Sequence, residues 1–200
     1  MIYGTHNSAT GGRLLWWLRP LAWVINPTSK CQSKTIDEQL KDGVKLFNLQ
    51  VAYNGERWYF SHGLALYKED VIETVAKMKA CATAKEPIYF QLYLDKSFWL
   101  AQDEEAFTQL VADIKKQFCC PYFVVLSAWV EGTNKYLHKS ESKLKWQERY
   151  WTTTWASINA TSLLDKLPLP KYHARKYNAR YKKECTTDYL MLDYYDTANY

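Results

Sequence analysis

The sequence predicts an α/β fold, a mainly parallel sheet with helical cover in one compact domain; if the sheet closes into a barrel, outer helices must be reduced or missing. Three observations predict it. Segments with strand periodicity alternate with segments of helical periodicity, the order that builds parallel sheets under helical cover. Chemically capable polar residues fall at strand ends, where an α/β barrel assembles its site. The chain has 200 residues, whereas a full eightfold barrel runs to roughly 250, so its outer layer must be trimmed. No repeat or low-complexity linker divides it, and residues 1–200 are read as a single domain.

The elements follow in order. Residues 1–5 are a short strand ending at Gly4. Thr35, Ile36, Asp37 and Glu38 spell a capping box that opens a helix through Leu40, stopped by Gly43. Residues 44–52 alternate, with Leu46, Asn48 and Gln50 on one strand face and Phe47, Leu49 and Val51 on the other. Asn54 and Gly55 form a tight turn into a strand over 57–61. Helical spacing of Val71, Val75 and Met78 marks a helix over 70–84. A strand over 87–95 and an amphipathic helix over 103–118 follow, the helix turning Phe107, Leu110, Val111 and Ile114 inward. Residues 122–128 are a further strand. Beyond Trp129 the pattern weakens: helices are expected at 140–149 and 162–166, the second halted by Pro168. A last strand over 189–195 places Met191, Asp193 and Tyr195 on one face.

Composition narrows the function classes. The apolar fraction of 48% excludes disorder. The 9 Trp, 16 Tyr and 7 Phe exceed what a core needs, so some should line a cleft or meet a membrane interface. The net charge of +5 is a mild bias toward anionic partners that names neither nucleic acid nor lipid. The apolar stretch from Leu14 to Ile25 is broken by Arg19 and Pro20 and too short to span a bilayer. No cleavable leader opens the chain, so a cytoplasmic protein with peripheral membrane contact is expected. Cys31, Cys81, Cys119, Cys120 and Cys185 fit no zinc spacing and read as reduced thiols.

Singly, each polar strand-end residue has a structural explanation; together they resemble a known site. Gly4, Thr5, His6, Asn7 and Ser8 resemble the opening motif of the phosphatidylinositol-specific phospholipase C family. The run from Thr35 to Gln50 resembles its next helix, glycine and strand; Phe60, Ser61, His62 and Gly63 its second histidine; Leu190 to Tyr195 its closing strand. The resemblance fades over 125–185. It implies a TIM-barrel-like phosphodiesterase barrel in which His6 is the general base, His62 the general acid, and Asp193 holds the tautomer of His6. Asn7, Asn48, Gln50 and Asp95 would then line the substrate. The substrate implied is a phosphoinositide, or another phosphodiester with an adjacent hydroxyl.

The sequence also departs from that family. Asn7 stands where bacterial members carry an acid, Asn48 replaces an acidic residue, and Gln50 stands where an arginine or an acid is usual. Neutral amides supply neither a guanidinium's charge nor the carboxylates of a calcium site. No cofactor is therefore expected, with calcium the lesser alternative, since the resemblance makes Asn7 a metal ligand in calcium-dependent members and Asp95 could add one carboxylate; Lys96, Lys30 or Lys34 is the candidate cation for the phosphate. The alternative is a weakened or inactive barrel that binds a ligand or serves assembly. Trp16, Trp17 and Trp23 resemble the family's membrane-facing helix, or else pack on the barrel. The tract from Lys171 to Lys183 holds basic residues among tyrosines; it reads as a solvated loop able to meet anionic headgroups, with nucleic acid the weaker alternative. The sequon at Asn159 is expected to be idle.

Overall fold

A computed structural model describes residues 2–133, 135–141, 152–184, 186 and 189–196. The strands are β1 (Ile2–Thr5), β2 (Leu46–Tyr53), β3 (Trp58–His62), β4 (Ala65–Asp70), β5 (Ile88–Leu94), β6 (Phe123–Val130), β7 (Tyr136–Lys139) and β8 (Tyr189–Leu192). The α-helices are α1 (Ala22–Ser29), α2 (Ile36–Lys41), α3 (Val71–Cys81), α4 (Glu104–Phe118), α5 (Thr152–Ile158) and α6 (Pro170–Glu184). Among the described residues no helix is long and apolar enough to cross a membrane.

Five strands run parallel in the order β8–β1–β2–β5–β6, and β7 adds antiparallel to β6. β2 forks. Its first residues pair with β1, Leu46 opposite Gly4, while Val51 to Tyr53 pair antiparallel with β3 and so with the β3–β4 hairpin. A Cβ on Gly4 would lie 2.8 Å from Leu46 Cδ2, so this close approach needs glycine just before the His6 turn. Among the described residues no pairing joins β8 to β6 or β7, so the sheet is a reduced barrel that does not close.

Two faces of the sheet carry two different cores. Phe47, Leu49 and Val51 of β2 pack outward with Phe90, Leu92, Phe107 and Ile114 under α3 and α4. On the inward face, Leu46, Leu126 and Met191 form a small apolar plug, with half-buried Tyr89 and Val124 against it. Above that plug the interior turns polar. Asn48 pairs in register with Gln91, and Asn48 Nδ2 donates to Gln91 Oε1 at 3.3 Å.

Local signals explain most elements. Thr35 closes the expected capping box on α2, with Gly43 at φ 83° ending it, and Asp70 and Asp103 cap α3 and α4. Three expectations are corrected. Residues 171–183 are not a loop but most of α6, whose His173, Tyr177 and Tyr181 are buried at helical spacing behind a basic outer face. The last strand ends at Leu192 rather than Tyr195: Tyr194 takes φ 42°, so Asp193 sits in a turn just past the strand. β4 and β7 form where no strand was expected, each completed by an antiparallel neighbour. Residues 162–166 contain a 3₁₀ turn at Leu164–Lys166. The helix expected at 140–149 lies outside the described residues from 142 onward.

Candidate active site

The strands and the turns that follow them bring the reactive residues together. His6 follows β1, Gln50 lies on β2, His62 ends β3, Asp95 follows β5, Glu131 follows β6 and Asp193 follows β8. His6, Asn7, Gln50 and His62 share a cavity of about 220 Å³ with Cys31, Tyr93, Glu131 and Thr153.

His6 Nδ1 lies 2.7 Å from Asp193 Oδ1, and both residues are buried. Asp193 Oδ2 accepts from the backbone N–H of Thr153 at 2.9 Å and from its hydroxyl at 2.5 Å. Burial works to raise the Asp193 carboxyl, but the His6 ring and the Thr153 donors outweigh it and hold it below the usual carboxylate range. An ionised Asp193 can only accept, so His6 Nδ1 carries a proton and Nε2 is the basic nitrogen. Gln32 Nε2 fixes the turn from beneath, donating to the carbonyls of His6 and Leu192, each at 2.8 Å.

The His62 ring lies 6.1 Å from that of His6, at 80°. Its Nδ1 donates to the Ser29 carbonyl at 2.8 Å, which leaves Nε2 as its working nitrogen. Burial, and then the charge of His6, lower its pKa. Cys31 Sγ sits 3.8 Å from His62 Nδ1; burial, and then the charge of Asp193, raise that thiol well above its ordinary value. Cys31 therefore stays protonated and is not a nucleophile at neutral pH.

The amides organise the floor. Asn7, held at φ 45°, takes the Asn48 carbonyl oxygen on its backbone N–H at 3.2 Å. Gln50 Nε2 donates to Asp95 Oδ1, and Asp95 Oδ2 accepts from the Gly63 N–H at 3.2 Å. Burial, and then Glu131, push the Asp95 carboxyl up to about 7. Asn7 Oδ1 and Gln50 Oε1 are buried without a donor among the described residues. Both acceptors belong to residues that line the cavity.

The structure thus brings His6, His62, Asp193, Asn7, Asn48, Gln50 and Asp95 into one constellation. It does not bring in the expected cation. Lys34 pairs with Asp42 at 2.6 Å, Lys30 lines a separate cleft with Trp23, and exposed Lys96 lies outside the cavity. Among the described residues the cavity holds no lysine or arginine. Cys31, Glu131 and Thr153 were missed from the sequence. Only Glu131 had a signal, an acid just past a barrel strand.

Trp16 and Trp23 are 76% and 79% exposed beside half-covered Trp17, so the first two do not pack on the barrel. Phe98 and Trp99, in the loop after β5, extend this apolar surface: Trp99 meets the Trp17 ring edge-on at 5.2 Å.

No family model matches the chain, and no curated protein matches it. Solved structures do. A mutant of the phosphatidylinositol-specific phospholipase C from Staphylococcus aureus is similar over 100% of this chain and 85% of that one, with TM-score 0.62 and 15% identity. A second mutant of that enzyme gives TM-score 0.60 at 14% identity, covering 100% and 86%. The phosphatidylinositol-specific phospholipase C from Listeria monocytogenes gives 0.55 at 15% identity, covering 96% and 87%. The fold of this chain is therefore that of a phosphatidylinositol-specific phospholipase C barrel, reduced in its outer layer.

Proposed function

We propose that this chain cleaves a phosphodiester bearing an adjacent hydroxyl, of the phosphoinositide class, by general acid–base catalysis between His6 and His62. The observation that carries the reading is the two imidazoles, ring centres 6.1 Å apart, with His6 oriented by a buried carboxylate. His6 Nε2 takes the proton of the attacking hydroxyl, and its imidazolium is stabilised by Asp193 as it forms. His62 protonates the leaving oxygen, and a bound phosphate counters the burial that otherwise keeps His62 neutral. Asn7 Oδ1 and Gln50 Oε1 accept hydroxyls of the headgroup. A cavity of about 220 Å³ takes a headgroup and leaves lipid chains outside. The amides Asn7, Asn48 and Gln50 bring no charge to a hard cation, so we assign no metal.

A second reading has its own observation. With Asp95 and Glu131 beside the histidines and no described cation in the cavity, the site is electrostatically poorer for a phosphate than a guanidinium-bearing one, which favours a weakened or purely ligand-binding barrel.

Phosphatidylinositol vesicles separate the two. Cleavage that persists in chelator and falls ~10²–10⁴-fold in both His6→Ala and His62→Ala is the expected outcome. No cleavage of these vesicles or of a wider phosphodiester panel overturns the enzyme reading.

A further inference from the structure

At the opposite end of the sheet from the histidines, a second group of reactive side chains sits where α4 gives way to β6. Cys119 and Cys120 occupy that junction. Lys79, from the last turn of α3, donates to Cys120 Sγ at 3.2 Å, and the Tyr122 ring lies 4.3 Å from the same ammonium. Both cysteines line a cavity of about 330 Å³ that Lys115 and His138 also line. His138 Nε2 donates to the Val125 carbonyl at 3.1 Å, so its Nδ1 accepts from Lys115 Nζ at 3.2 Å and the ring is neutral.

We propose that Cys120 is a thiol-exchange site that forms a mixed disulfide with a small anionic disulfide of the glutathione class. A thiolate needs a nearby positive charge and access, and Cys120 has both, with Lys79 in contact and an open cavity beside it. The carboxylates of such a ligand find Lys115 in the cavity lining and Lys79 in contact with Cys120 Sγ. Partial burial raises the thiol pKa, but the backbone N–H groups around Tyr122 and Phe123 and the Lys79 ammonium outweigh it, and the net shift is downward. In the exchange Cys120 loses its proton to solvent and its thiolate attacks one sulfur of the disulfide. A new S–S bond forms, the old one breaks, and the second half leaves as a thiolate. Cys31 cannot compete, being buried with its thiol raised. Exposed Cys81 is the internal comparison.

The intact protein, incubated with glutathione disulfide at pH 7 and mapped by peptide mass spectrometry without reductant, tests this. The glutathione adduct is expected first on the peptide carrying Cys119 and Cys120, absent in C120S and retained in C119S. Lys79→Met slows its formation roughly 5–10-fold at pH 7, a gap that narrows as pH rises, while Lys79→Arg retains the rate. Labelling of Cys81 as fast as Cys120, loss of the adduct in C119S rather than C120S, or an unchanged rate in Lys79→Met overturns the proposal.

Discussion

Asp193 commits both carboxylate oxygens, one to His6 and the other to Thr153, and this double use makes it sensitive to substitution. In Asp193→Asn the amide cannot accept on both sides. We expect a loss of roughly 10²–10⁴ in cleavage rate, read on the same vesicles, because His6 loses its fixed tautomer. The stability consequence has a definite sign. A carboxyl held below its ordinary value stabilises the fold above about pH 4, and that contribution is lost as pH falls through the folded value. Asp95 behaves oppositely. Raised to about 7, it binds its proton more tightly in the folded chain, so stability falls as pH rises from about 4 to about 7. Asp95→Asn should therefore raise stability by ~2 kcal/mol at pH 8 and by little at pH 4, measured by urea unfolding at both. Equal effects at the two pH values would mean that Asp95 is not held protonated.

Among the elements, α2 and α6 show how differently a helix can announce itself. α2 carries its own start signal: Thr35 Oγ1 accepts from the Glu38 N–H at 3.3 Å, and Glu38 Oε2 accepts from the Thr35 N–H at 2.8 Å. Removing it in Thr35→Ala should cost ~1 kcal/mol, seen as a lower unfolding midpoint, with cleavage per folded molecule unchanged. α6 hides its signal. Its buried His173, Tyr177 and Tyr181 have regular spacing, but the surrounding lysines and arginines dominate the composition. Two of those charges have local partners, Lys176 with Asp165 at 2.8 Å and Arg180 with Glu184 at 2.7 Å. Part of what read as a free basic tract is thus structural.

At the scale of the whole molecule, we propose that the exposed aromatics meet a lipid surface. Trp16, Trp23, Phe98 and Trp99 are exposed together with Trp17 on an apolar surface that indole and phenyl rings suit to the headgroup boundary. The double substitution Trp16→Ala, Trp23→Ala should weaken sedimentation with phosphatidylinositol-containing vesicles by roughly tenfold or more, while unfolding stability changes little, since neither side chain is buried. Unchanged vesicle binding would remove these tryptophans from the interface.

Local pattern in the sequence was enough for much of the strand–helix order, the capped α2 and the shared face of Leu46, Asn48 and Gln50 on β2. Each of those signals lies in neighbours one to four residues apart, the range over which periodicity and capping act. His6, His62 and Asp193 stood out only through the resemblance of four separated motifs, and their catalytic roles are the proposal made above. What the tertiary structure alone decided lies at longer range. His6 meets Asp193 across 187 positions, and Cys31 and Glu131 join the cavity from segments with no shared motif. β4 and β7 exist because an antiparallel neighbour satisfies their backbone, and only the folded chain shows that Lys30, Lys34 and Lys96 lie outside the cavity. Spacing along a chain sets which face a side chain takes; which other faces it meets depends on how the strands pair, and that is a property of the folded sheet.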